Sequence, residues 1–458
     1  MDETTNMNSP SNPPGKNEDQ LKRGLSNRHI QLIALGGAIG VGLFYGSSST
    51  IELGGPAILL SYAVGGLVIF LIMRALGEMA IANPVSGSFS EYANKYLGRF
   101  AGYVTGWTYW FNWVVVGMAE ITVVGAYIQY WFPDIPSWVT ALVVLALMTA
   151  INLINVKAFG EFEFWFAMIK VLAIIGLIVA GLGIILFGFG NGGNPVGFDN
   201  LWAHGGFMPE GLTGVVLSLV MVMFSFGGIE LIGLTAGEAE NPKKTIPSAI
   251  NNVIWRILIF YIGALGVIMT LYPWNKIGTE GSPFVLIFDK IGMPAAADVI
   301  NFVVLTAALS AFNSGMYGTG RMLFSLADQG NGPKFFGKLN KHGIPARGIL
   351  FTSAILLIAV YLNYVVPEKV FSYIMSIATI AAVTSWTIIL LTHIKFRKLT
   401  GGSKLFRMPF HPASSYLALA LLAVVVISMG FIEGTSVALL VAPIWFAIMA
   451  AGYFIVKK

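Results

Sequence analysis

The stretch Ala34–Ser47 reads ALGGAIGVGLFYGS. Five glycines, Gly36, Gly37, Gly40, Gly42 and Gly46, interrupt an otherwise apolar run. Three explanations compete: a phosphate-cradling loop, a close helix-packing face, or a helix interrupted to bind a ligand. A dinucleotide or phosphate loop requires G-x-G-x-x-G between a strand and a helix. Here the order is Gly37-x-x-Gly40-x-Gly42 inside an apolar span, which does not fit. Gly36 and Gly40 do form a GxxxG, the spacing by which membrane helices approach closely. Choosing between packing and interruption requires the rest of the chain.

The chain has 458 residues, of which 56% are hydrophobic and 11% charged. A soluble domain carries about 25% charged residues, so too little polar surface is available here for water. The apolar residues cluster in runs of about 20, enough to cross a hydrocarbon core of roughly 30 Å as helices. The reading is an all-α polytopic membrane protein. There is no cysteine, so disulfide and thiolate chemistry are excluded. His29, His204, His342, His393 and His411 are scattered without metal-ligand spacing. Neither a metal nor a cofactor is expected, and no nucleophile–base constellation suggests an enzyme. Residues 1–26 are rich in Asn, Ser, Pro and charge and are expected to be disordered. They lack the apolar region and cleavage site of a signal peptide, so the first apolar run is expected to remain as a span.

Hydropathy predicts twelve helices, near 28–50, 56–82, 98–131, 137–156, 161–188, 212–237, 253–273, 295–321, 348–365, 370–394, 415–432 and 435–456. With the N-terminus inside and alternating spans, 23 of the 27 Lys and Arg fall on the inner side. Lys276, Lys290 and Lys369 fall outside, and Lys170 lies within a span. This positive-inside asymmetry predicts that both termini are cytoplasmic. It also accounts for the formal charge of +5 without a nucleic-acid partner. The inner segment 83–97, NPVSGSFSEYANKYL, fits either a short amphipathic helix at the interface or a solvated loop.

A second glycine motif changes the weight of the first. Gly36–Leu43 reads GGAIGVGL and Gly227–Leu234 reads GGIELIGL, both GGxxxxGL, 191 residues apart. One lies in the first span and the other in the sixth. The second lies five spans after the first, an odd step, so the two copies enter the membrane from opposite sides, as in an inverted repeat. Each glycine costs a helix roughly 1 kcal/mol relative to alanine. A broken helix is tolerated at membrane depth only where its backbone finds protein partners or lines a cavity. Its free N–H groups then suit a carboxylate and its free carbonyls a cation. An amino acid carries both charges.

Ionisable groups at bilayer depth mark function by default. Glu230 lies inside the second glycine motif, Glu120 in the third span and Lys170 in the fifth. For each, a structural role competes: Glu230 tied to glycine N–H groups, Glu120 bonded between helices, Lys170 snorkelling to the inner surface. Asn301, Ser310, Asn313 and Ser314 are polar residues in the eighth span, and Ser310–Ser314 are expected to face the cavity. Arg74 and Glu78, one turn apart, are expected to pair locally.

Several stretches together resemble the amino acid–polyamine–organocation superfamily, and within it the bacterial amino acid permeases of the proline, alanine, aromatic, GABA and lysine type. They are LKRGLSNRHIQLIALGGAIGVGLFYGS, RALGEMAIANPVSGSFSEYA, GWTYWFNWV, FGEFEFWFAMIKV, FSFGGIELIGLTAGEAENPKKTIPSAI and LTAALSAFNSGMYGTGRML. The resemblance implies the leucine-transporter-like fold: two inverted five-helix repeats plus two helices. The implied organisation is a cytoplasmic tail (1–26), a first repeat (27–188), an outer loop (189–211), a second repeat (212–394) and helices eleven and twelve (395–458). It implies a substrate carboxylate site at Ala38, Ile39, Gly40, Val41 and Gly42, and an amino-group site at Phe224, Ser225, Phe226 and Gly227. Trp113, Phe226 and Ile229 are candidates for side-chain selection. The lysine at position 170 would stand in for a sodium ion between helices one, five and eight; Glu230 and Glu120, from their depth in the membrane rather than from the resemblance, are further candidates for coupling or gating. The implied function is proton-coupled uptake of a neutral amino acid across the cytoplasmic membrane of a bacterium, among lipid and with no nucleic-acid partner. An exchanger without proton coupling and a sodium-coupled symporter remain alternatives, and proline, alanine, serine, threonine and GABA all stay open as substrates.

Overall fold

The computed structural model describes residues 39–85, 87–154, 156–235, 241–277, 281–290, 292–365 and 370–457. The tail 1–26, Gly36, Gly37 and Ala38 lie outside the described residues. Every regular element among those described is a helix. A single turn α1 (Val41–Phe44) leads to α2 (Ser47–Gly54) and, past the 3-10 turn Gly55–Ala57, to α3 (Ile58–Ala82). Then come α4 (Ser88–Leu97), α5 (Arg99–Gln129), α6 (Ser137–Ile154) and α7 (Val156–Phe187). A turn separates α8 (Gly211–Ser225) from the short α9 (Leu231–Thr235). α10 (Pro242–Arg256) runs through a π-helical segment, Ile257–Gly263, into α11 (Ala264–Leu271). The chain ends with α12 (Pro283–Lys290), α13 (Pro294–Asp328), α14 (Ala346–Val365), α15 (Val370–Thr400), α16 (Ala413–Ser428) and α17 (Ser436–Lys457).

Ten helical stretches among the described residues are long and apolar enough to cross a bilayer, and α8 is a shorter apolar helix. Their backbone groups are satisfied within each helix, which is what lipid requires. The protein is an all-α polytopic membrane protein. Its core lies around α3, α5, α13 and α15: the most apolar window of α15 is 72% buried, whereas that of α17 is 11% buried. α17 therefore presents its apolar side chains outward.

Several boundaries differ from the hydropathy reading, each for a physical reason. The seventh span starts at Pro242, not near 253. Its first turns, PKKTIPSAINN, are too polar to register as membrane. A proline at the first helical position costs no hydrogen bond, however, and Ile246, Ala249 and Ile250 give the helix a buried side. The eighth span continues to Asp328 and the tenth to Thr400. α12 is too short for a hydropathy window; Phe284 packs edge-on against Phe44 of α1, with ring centroids 4.9 Å apart. Segment 83–97 takes the helical alternative: α4 buries Phe89, Tyr92 and Ala93 and packs on α5 and α15.

The expected local pair of Arg74 and Glu78 is not what forms. Glu78 is fully buried and accepts hydrogen bonds from Arg397 Nε and Nη2, both at 2.8 Å. It also accepts from the backbone N–H of Ser403 (3.1 Å) and Met408 (2.8 Å), and His393 Nε2 lies 3.0 Å away. Arg74 turns the other way, donating to Asn251 Oδ1 and lying over the Phe406 ring. A buried carboxylate takes every donor within reach. α15 and the loop after it supply five here, which one helical turn of α3 cannot.

Candidate functional site: a cavity between two helix breaks

The first break begins where Ile39 and Gly40 are non-helical and α1 completes a single turn. Gly40 O accepts from the N–H groups of Leu43 and Phe44, so helical bonding starts only after it. The second break is the turn 226–230 between α8 and α9. There Phe226 N–H and Gly227 N–H fold back onto Met223 O and Phe224 O. Gly228 has φ +92°, a left-handed conformation that favours glycine. The breaks touch: a Cβ on Gly42 would stand 2.6 Å from Ser225 Cα. Only a glycine lets the two backbones come so close.

The freed backbone groups have identifiable partners. Ser225 Oγ donates to Gly42 O at 2.7 Å, and Tyr261 Oη donates to Ser225 O at 3.0 Å. Lys170 Nζ donates to Ile39 O at 3.0 Å. The Val41 N–H points at Glu120 Oε1 across 3.5 Å, long for a hydrogen bond. So one amide of the first break is only weakly engaged, and a carboxylate oxygen is what faces it.

A cavity of about 320 Å³ of empty space lies between the breaks. Gly40, Gly42, Phe224, Ser225 and Gly227 line it from the breaks, Trp113, Val116 and Glu120 from α5, and Ala311 from α13. Phe224, Tyr45, Tyr127 and Phe371 form a chain of edge-to-face rings at one end of it, with centroids 4.8 to 6.3 Å apart. Phe226 is turned away from the cavity: its ring packs on Tyr62 and Tyr261. Ile229 is buried and is likewise absent from the lining.

Lys170 does not snorkel; it is fully buried. Beside its bond to Ile39 O, its Nζ donates to Ser310 Oγ at 2.9 Å, so it bridges the first break to α13. Glu120 is buried with Oε2 lacking a hydrogen-bond partner among the described residues. Glu230 is buried on the far side of the second break, where Trp386 Nε1 donates to its Oε2 at 3.3 Å. The N–H of Gly228 also points at this carboxylate. Sequence reasoning passed over Glu163, which is fully buried and accepts from Ser310 Oγ at 2.7 Å. The signal was available: Glu163 and Lys170 are seven apart, two helical turns on one face.

The site joins two interrupted helices, a small cavity beside one weakly held backbone amide, and a buried ammonium. Such a site suits a small zwitterion that must be held and then released. Among the described residues no group of His, Cys, Asp and Glu is placed to hold a metal.

Comparison with known proteins is unambiguous. A sequence profile of the amino acid permease family matches residues 29–458. The chain is 57% identical to the uncharacterized amino acid permease YtnA of Bacillus subtilis, over 96% of each chain. It is 51% identical to the probable threonine/serine transporter YbxG of the same organism, over 95% of each. It is 49% identical to the aromatic amino acid transport protein AroP of Escherichia coli K12, over 96% of each. These proteins are transporters rather than enzymes, and this chain belongs to the amino acid permease family.

Proposed function

We propose that the protein is a proton-coupled importer of neutral amino acids in a bacterial cytoplasmic membrane, with both termini inside. The observation that carries this reading is Lys170: an ammonium with no exposure, bonded to Ile39 O of the first break and Ser310 Oγ of α13. A fixed ammonium in that place leaves no need for a bound sodium ion. A lysine can also lose its charge, which an arginine cannot. The substrate carboxylate docks on the N–H groups of the first break, around Gly40–Gly42, and the amino group on the carbonyls of the second, around Phe224–Gly227. Glu120 lies where the carboxylate enters and Glu230 braces the second break. Together they gate access to the two helix ends.

Trp113 and Phe224 wall the side-chain end of the cavity. The cavity is small and tightly lined, which favours small side chains. YbxG is named for threonine and serine and AroP for aromatic amino acids, all neutral. In the cycle, the two repeats at 27–188 and 212–394 supply one broken helix each. The broken-helix bundle rocks against the remainder, opening first one side and then the other. Proton loss from Lys170 on the inner side loosens Ile39 and with it the substrate.

Uptake into proteoliposomes with an imposed pH gradient, no sodium and no internal amino acid tests this reading. Accumulation is expected. If labelled amino acid enters only against internal amino acid, the protein is an exchanger; if it enters only with sodium, it is a sodium symporter.

A further inference from the structure

Glu163 has no task in the cycle described above, yet it is a fully buried carboxyl in a membrane-spanning helix. It precedes Lys170 by two turns of α7, about 10 Å toward the expected cytoplasmic end. Ser310 of α13 stands between them. Lys170 Nζ donates to Ser310 Oγ at 2.9 Å, and Ser310 Oγ donates to Glu163 Oε1 at 2.7 Å. Both hydrogens point the same way, from the ammonium to the carboxylate. A hydroxyl is the side-chain group that can accept and donate at once in this manner.

The far side of Glu163 is prepared as well. Its Oε2 has no hydrogen-bond partner among the described residues, and Ser314 and Asn313 lie beside the carboxyl. Ser314 Oγ and Asn313 Nδ2 likewise have no hydrogen-bond partner among the described residues. Asn313 Nδ2 can donate to the ionised carboxylate, and the Ser314 hydroxyl can donate to that form or accept from the protonated carboxyl. The carboxyl therefore has polar neighbours suited to either protonation state.

We propose that Glu163 is the group to which Lys170 passes its proton, through the hydroxyl of Ser310. This rests on the coupling role of Lys170 argued above. One N–H bond of Lys170 breaks as a new O–H bond forms on Ser310. The original Ser310 O–H bond breaks as an O–H bond forms on Glu163 Oε1. The ammonium becomes an amine and the carboxylate a carboxyl. No net charge is created in the apolar interior, so the step avoids the several kcal/mol that an uncompensated buried ion costs. Neutral Lys170 then holds Ile39 O less tightly, and Glu163 gives its proton to water when the inner side opens. The chain of donors ties proton release to substrate release without a continuous aqueous path past Lys170.

The test compares Ser310→Thr with Ser310→Val, two side chains of one shape that differ in the hydroxyl, and adds Ser310→Ala and Glu163→Gln. For each, pH-driven accumulation is divided by amino acid exchange measured in the same proteoliposomes. The ratio is expected to fall at least about tenfold in Ser310→Val, Ser310→Ala and Glu163→Gln. Ser310→Thr is expected to recover it to within about threefold of the parent. A parental ratio in Ser310→Val or Ser310→Ala overturns the relay, as does an equal loss in threonine and valine variants that both retain exchange. Ser310→Ala carries the test if the branched side chains do not fit. Lys170→Ala in the same series separates the two readings. If it keeps pH-driven uptake, the coupling role itself fails. If it loses uptake while Ser310→Ala and Glu163→Gln do not, only the relay fails.

Discussion

Two glycines of the first break differ in what they exclude. A Cβ at Gly42 would meet backbone atoms of the second break, Ser225 Cα at 2.6 Å and Ser225 N at 3.1 Å. A Cβ at Gly40 would meet the end of a side chain, Glu120 Oε1 at 2.7 Å, and Ala311 Cβ at 3.0 Å. Overpacking of this kind costs about 1–3 kcal/mol, roughly five- to 150-fold in an equilibrium constant. Gly42→Ala is therefore expected to weaken amino acid binding by at least about fivefold. Gly40→Ala is expected to do less harm, since a carboxylate can swing aside; Gly40→Leu is expected to abolish binding. Binding isotherms for the three variants in detergent check this, and an order reversed between Gly40→Ala and Gly42→Ala would refute the close approach as the cause. At Lys170, substitution by alanine is expected to abolish pH-driven accumulation while leaving measurable exchange. Full accumulation in that variant would remove the lysine from the coupling mechanism.

At the scale of elements, the end of α3 is held by a cluster of donors rather than by its own helix. Glu78 gathers Arg397 and His393 of α15 and two backbone N–H groups of the loop 401–412. Removing one partner of a buried ion pair costs about 3–5 kcal/mol. Glu78→Ala is expected to lower thermal stability in detergent by an amount of that order, far more than Arg74→Ala, whose side chain is partly exposed. Equal effects of the two would sink the assignment. His411, in the same loop, packs edge-on to His393 at 5.1 Å and lies 3.0 Å from Ser415 Oγ. Partial burial, with His393 and Arg397 nearby, holds its imidazole below the usual 6.5, and Glu78 partly offsets this. The folded state thus favours neutral His411. Its stabilising contribution is present above pH 6.5 and is lost as the pH falls through the lowered value. The difference in melting temperature between parent and His411→Asn should accordingly shrink on going from about pH 7.5 to 5.5. A difference that does not change with pH excludes the titration.

At the scale of the whole molecule, the skewed distribution of Lys and Arg makes an orientation prediction that the absence of cysteine renders simple to test. Asn194→Cys, in the long loop before α8, should react with a membrane-impermeant thiol reagent in intact cells. Lys341→Cys, between α13 and α14, should react only after the membrane is opened. The reverse pattern would invert the protein. Substrate choice also belongs to this scale, because Trp113, Phe224 and Ala311 reach the cavity from three different helices. Competition of uptake by twenty amino acids, their D-isomers and GABA is expected to favour small neutral L-amino acids. Strong competition by lysine or glutamate would contradict the neutral reading.

The sequence by itself determined that the chain is a bundle of membrane helices, because a bilayer admits few alternatives for so many apolar runs. It also determined where two of those helices are weak, because glycine clusters act locally on helix stability. Partners in space were decided only by the tertiary structure. Arg74 and Glu78 look paired along the helix, but the nearest donors in sequence need not be the best ones across helices. The spacing of Glu163 and Lys170 put both on one helix face, but the contact that gives Glu163 its meaning is with Ser310, 147 residues away. Lys170 could be read as snorkelling or buried until Ile39 O and Ser310 Oγ were seen to compensate its desolvation. Periodicity and composition report on each helix against the membrane. Hydrogen bonds between helices depend on rotation and depth of one helix against another, which local sequence does not encode.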